Sequence, residues 1–81
     1  MKPEKVFRIG AVSASVFVNE VETDGGTKEL RNVNLQRRYR DGDGEWKSSS
    51  SLSLAELPQA IKALEWALRH VASQEAEQLV R

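Results

Sequence analysis

Cations, carboxamides and aromatic rings alternate through the run Asn34 to Trp46, NLQRRYRDGDGEW, and their types fit recognition better than catalysis. In an extended strand, residues two apart share a side. Asn34, Gln36, Arg38 and Arg40 therefore form one polar row, with guanidiniums for phosphate oxygens and amides for base edges. After the turn, a period of two places Lys47, Ser49 and Ser51 opposite Trp46 and Leu52, and reads them as extending that polar surface. Phe17 stands among Ser13, Ser15 and Asn19, opposite Ala14, Val16 and Val18, so its ring is expected on an otherwise polar surface. Single-stranded nucleic acid is held by such a combination of cations and flat groups, stacking being worth about 1–3 kcal/mol per base. Tyr39 and Trp46 take the parity of Leu35 and Leu52, which reads as core or rim.

Other chemistries fail on spacing. Asp41, Asp43 and Glu45 imitate the start of a calcium loop, but Trp46 stands where glycine is needed and Leu52 where a bidentate glutamate belongs. His70 is the single histidine, set on a helical segment beside Arg69, and there is no cysteine to build a metal cluster or a nucleophilic pair. No two carboxylates have a spacing that marks a hydrolytic pair. The expectation is a protein that is not an enzyme and needs no cofactor or metal. Twelve basic residues balance twelve acidic ones, so no field of the whole domain attracts nucleic acid and any binding face must be local.

The elements that must carry these residues follow from periodicity. Phe7 and Ile9 are apolar at odd positions, Val12, Ala14, Val16 and Val18 at even ones, so the period slips at Gly10, where a bulge or bend is expected between strands near 5–10 and 12–22. Asp24-Gly25-Gly26 marks a turn, and Asp41-Gly42-Asp43-Gly44 another, giving four strands in a meander. Ser53 and Glu56 form a capping-box pair, with Leu52 and Leu57 as its hydrophobic staple, which puts Pro58 at the fifth helical position. Leu57, Ile61, Leu64, Leu68 and Val71 recur at spacings of four and three, with Ala60, Ala63 and Ala67 beside them and Trp66 near the stripe. The fold class expected is α+β, a four-stranded antiparallel sheet followed by one helix. One domain covers 1–72, and 73–81 form a polar helical extension or tail.

With that order in place, F-R-I-G at 7–10, R-R-Y-R-D-G-D-G-E-W-K at 37–47 and S-L-S-L at 51–54 together resemble the positive cofactor four family of single-stranded-DNA-binding transcriptional coactivators. The resemblance spans about Phe7 to Leu68, and Whirly and Pur-alpha proteins have a related architecture. It implies a homodimer whose helices pack between subunits and whose curved sheets hold unwound strands by backbone and stacking contacts. It also implies stacking for Tyr39 and Trp46. The chain departs from the eukaryotic coactivator in its Trp-Lys-Ser-Ser-Ser-Ser segment, which is less basic and lacks glycine, and in a longer Asp24-Gly25-Gly26 region.

The expectations that follow are single-stranded DNA as ligand, with RNA as a second candidate, and little sequence preference. The role is expected in transcription regulation, replication or repair. A domain this short, without disulfides, is expected to pair with a second copy, or to build a higher oligomer, through Leu57, Ile61, Leu64, Leu68 and Trp66. No apolar run approaches the roughly 20 residues that span a bilayer, and MKPEKVFRIG lacks the apolar stretch of a secretory signal, so no membrane partner is expected and the cytoplasm is the default compartment. The rival expectation is a non-catalytic homodimeric protein-interaction module that has lost nucleic-acid binding.

Overall fold

The computed structural model describes residues 2–80, with helical side chains as far as Ala76. Strands β1 (Lys5–Ile9), β2 (Val12–Thr23), β3 (Gly26–Arg40) and β4 (Trp46–Ser49) are followed by one helix, α1 (Leu57–Val80). The strands pair antiparallel in the order β1-β2-β3-β4, a meander, so the architecture is α+β.

The slip of periodicity at Gly10 is the reverse turn of a hairpin, not a bulge. Ile9 pairs with Val12 and Phe7 with Ala14 across the turn residues Gly10 and Ala11. A two-residue turn sets odd positions of β1 against even positions of β2, so both apolar sets face the same way without an extra residue. Gly10 has φ 58, in the left-handed region where only glycine is unstrained.

The central strands outrun their neighbours. β1 pairs with Val12 to Val16 alone and β4 with Arg37 to Arg40 alone, whereas β2 and β3 pair from Val12↔Arg37 to Thr23↔Gly26. The stretch beyond Val16 and Val33 is therefore a two-stranded ribbon with two open edges, and the chain measures 51 × 23 × 16 Å.

The helix entry differs from the expected capping box. Glu56 Oε1 accepts hydrogen bonds from Ser53 N (2.9 Å) and Ser53 Oγ (2.6 Å), while Glu56 N donates to the Ser53 carbonyl at 3.0 Å. Residues 54–56 thus form a turn ahead of α1, and Pro58 falls second in the helix instead of fifth. There its missing N–H removes no helical hydrogen bond. These bonds from Ser53 hold the Glu56 carboxyl below its usual range. β4 also stops at Ser49, so Leu52 lies in the connection and not in a strand.

Helix α1 packs on β1, β2 and β3 through alanines. Ala63 and Ala67 meet Ala14 and Val16, with Phe7, Ile9, Val33, Leu35 and Val71 packed around them. Small side chains let the helix approach closely, and Leu57, Ile61, Leu64 and Leu68 are left outside: Ile61 is 60 % exposed and Leu68 67 %. Trp66 is not beside that stripe. Nine residues on from Leu57, it lies about 180° around the helix, where its ring centroid is 6.3 Å from that of Phe7. The helix continues unbroken to Val80, and the side chains of Leu79 and Val80 lie outside the described residues. Among the described residues no helix is long and apolar enough to cross a membrane.

Candidate functional site

Residues paired directly across antiparallel strands project to the same side of a sheet. The register therefore assigns every strand residue to the helix-covered face or to the open one. Val12↔Arg37, Ala14↔Leu35 and Val16↔Val33 belong to the covered face. Ser13↔Gln36, Ser15↔Asn34 and Phe17↔Asn32 belong to the open face, which continues through Arg38 and Arg40. The row Asn34, Gln36, Arg38, Arg40 is thus brought together as expected, all four exposed, and Phe17 shares its face.

The fourth strand is reversed relative to expectation. Arg40 pairs with Trp46 and Arg38 with Ser48, while Tyr39 pairs with Lys47 and Arg37 with Ser49. Trp46 and Ser48 therefore join the arginines on the open face, and Lys47, Ser49 and Tyr39 lie on the other. Alternation within β4 was legible; the face it joins depends on the connection 41–45, whose length sets the register. Asp41 builds that connection: its Oδ1 accepts from Asp43 N (2.9 Å) and Glu45 N (3.0 Å), bonds that hold its carboxyl below the usual range. Lys47 is turned toward Asp41 Oδ2 at 3.2 Å. Ser51 lies past the end of β4, where its carbonyl accepts from Arg37 Nε at 3.0 Å. Tyr39 is half-buried on the covered side, with the Arg37 guanidinium 5.0 Å from its ring centroid.

Trp46 is 59 % exposed, and the guanidinium carbons of Arg38 and Arg40 lie 5.1 and 5.5 Å from its ring centroid. Cation–π attraction positions both charges over a flat surface. Neither arginine has an ion-pair partner among the described residues; Arg40 Nε donates to the Gly44 carbonyl at a long 3.3 Å. The Asp41 carboxylate is engaged instead by the backbone of its own turn and by Lys47.

Charge is segregated between the two faces. The strand positions of the open face carry Arg8, Lys28, Arg38 and Arg40 and no carboxylate; Glu20, Glu22 and Glu29 all fall on the covered face. A chain of zero net charge so presents one positive sheet face. Arg8 and Lys28 are the members that the strand pattern missed, although Phe7 and Ile9, packed against the core, already turn Arg8 outward. Arg8 sits across from Ser13, itself across from Gln36. Asn19, Asn32 and Ser48 also join the face.

Two concavities lie along this surface. One, of about 420 Å³, follows the edge of β3 where β4 ends and is lined by Asn34, Gln36 and Ser48 to Ser50 together with Val33 and Leu35. The other, of about 320 Å³, is lined by Phe17, Asn19, Asn32 and Asn34.

His70 is not a bare surface histidine. Its Nε2 lies 2.7 Å from Glu4 Oε2, and Glu4 also accepts two bonds of 2.8 Å from Arg31. The Arg31 and His70 bonds pull the Glu4 carboxyl down to about 2. This knot ties the N-terminal segment, β3 and α1 together on the covered side; Glu4, Arg31 and His70 are too distant in sequence for a motif to reveal it. Among the described residues no group of three or more His, Cys, Asp or Glu could hold a metal ion.

No family model, curated protein or solved structure matches the chain.

Proposed function

We propose that this protein binds single-stranded nucleic acid, DNA in the first place, along the open face of its sheet, with little sequence preference and without catalysis. The observation that carries the reading is the open face itself: four cations, Phe17 and Trp46, a row of amides and hydroxyls, and no carboxylate, on a chain whose charges otherwise cancel. Phosphates follow the cations, and bases stack on the rings. Gln36, Arg38, Arg40, Trp46, Phe17 and Asn34 carry the contact, joined by Arg8 and Ser48. The resemblance to the positive cofactor four family supports the same reading, as a cytoplasmic homodimer acting in transcription regulation, replication or repair. The dimer uses the exposed Leu57, Ile61, Leu64 and Leu68 stripe.

The test is fluorescence anisotropy with labelled single-stranded DNA, duplex DNA and RNA of equal length across a salt series. Expected is tighter binding of the single strand, weakening with salt by a slope of about −0.7 per phosphate contacted. Absence of binding at low salt by a folded protein would sink the proposal and leave the protein-interaction module as the reading of the same fold.

A further inference from the structure

We infer that Phe17, Asn19, Asn32 and Asn34 form a dedicated pocket for one unpaired nucleobase, separate from the cationic end of the open face; the inference rests on the nucleic-acid reading above. Same-face residues on a strand are about 7 Å apart, so Asn32 lies three such steps from Arg38 along β3. Register sets Phe17 directly across from Asn32, and Asn34 and Asn19 are the next same-face residues on β3 and β2. The four side chains line one concavity of about 320 Å³.

Its composition decides the ligand. The lining contains no charge, so a phosphate has nothing to pair with. It holds one half-buried aromatic ring and three carboxamides, none of which has a side-chain hydrogen bond within the protein among the described residues. An aromatic face accepts a stacked base, and an amide offers a donor and an acceptor side by side, as the edge of a base does. A peptide side chain would use only part of this set. The neutral pocket thus adds a base site apart from the Arg38–Trp46–Arg40 cluster, where the guanidiniums meet phosphates and the Trp46 ring stacks a base.

The experiment compares two labelled single strands of equal length, oligo(dA) and an abasic deoxyribose-phosphate strand, which carry the same phosphates. Three proteins are titrated: the natural chain, Asn32→Ala with Asn34→Ala, and Phe17→Leu, each checked for folding by circular dichroism. Asn32 and Asn34 are exposed, so their loss does not open the core. Expected is a fivefold or greater preference of the natural chain for oligo(dA), about 1 kcal/mol, at the lower end of one stacked base. Both variants should lose the pocket's share of that preference, leaving the share due to stacking on Trp46, while keeping their affinity for the abasic strand and their salt slope. Variants that bind both strands as the natural chain does, or weaken both equally, would overturn the pocket while leaving the nucleic-acid reading intact. If the natural chain binds neither strand, that reading fails and the pocket falls with it.

Discussion

Arg38, Arg40 and Trp46 act as a unit, because each guanidinium lies over the same ring and neither is spent on a carboxylate. Removing the cations removes two phosphate contacts: Arg38→Ala with Arg40→Ala is expected to flatten the salt dependence of single-strand binding by about 1.4 in slope, two contacts at about 0.7 each. Anisotropy titrations between low and moderate salt read this directly, and an unchanged slope would place the phosphates elsewhere. Trp46→Ala should instead weaken binding by about 1–3 kcal/mol with the slope retained, since a ring contributes stacking and not charge. Lys47→Ala is a useful contrast, because Lys47 faces Asp41 on the covered side and its loss should leave affinity close to that of the natural chain. The arginine row and the face on which Phe17 stands were legible from alternation alone, although its ring is half-buried there. The side on which Trp46 and Lys47 emerge was not, because parity is carried across a turn only when the turn's register is known, and five residues built around an Asp41 side chain do not announce it.

Elements join at two points that set their stability. At the β1–β2 turn, Gly10 has φ 58, and a Cβ built there would lie 2.8 Å from Gln59 Oε1 of the first helical turn. The side chain of Gln59 can move, so the main cost of Gly10→Ala is the left-handed backbone; a loss of about 1 kcal/mol is expected in urea unfolding. At the other point, Glu4 joins Arg31 of β3 to His70 of α1. Its carboxyl titrates near 2 in the folded chain against an ordinary 4.5, so its contribution is complete above about pH 4.5 and is lost as pH falls toward 2. The Glu4 side chain keeps 29 % of its surface in water, so screening limits the effect to about 1 kcal/mol. Glu4→Gln should lower the urea midpoint at pH 7 and converge with the natural chain as pH drops to 2; a constant gap would show that the carboxylate's charge is not what matters. The strands and the presence of the helix were readable because glycine turns, period-two apolar sets and the Ser53–Glu56 pair are all local, although that pair closes a turn ahead of the helix and not its first turn. The Glu4 knot joins residues distant in sequence, and no local pattern encodes it.

The whole molecule is under-packed as a single chain. Its fully buried hydrophobic residues, among those described, are Val12, Ala14, Val16, Ala60, Ala63 and Ala67, with nothing larger than valine at the centre. Its radius of gyration is 15.4 Å, whereas a compact domain of this length has about 12 Å. Meanwhile Leu57, Ile61, Leu64 and Leu68 run down one helix flank in the open, each 40 % exposed or more. Burying those four side chains against a second copy would contribute on the order of 1.5 kcal/mol each or more, which a core of valine and alanine needs. A helix-to-helix pairing on that flank leaves the open sheet faces of both copies free, and doubles the cationic surface without changing net charge. Trp66 lies on the other side of the helix, with its ring against Phe7, so it is not expected in this contact. Ile61→Lys with Leu68→Lys should therefore convert a dimer to a monomer in sedimentation equilibrium, with affinity for a long single strand falling at least tenfold as the second site is lost. Trp66→Phe should leave the dimer intact. If the lysine variant sediments as the natural chain does, the leucine flank is not the contact between copies; if the natural chain is itself monomeric, the single open face must hold its ligand alone.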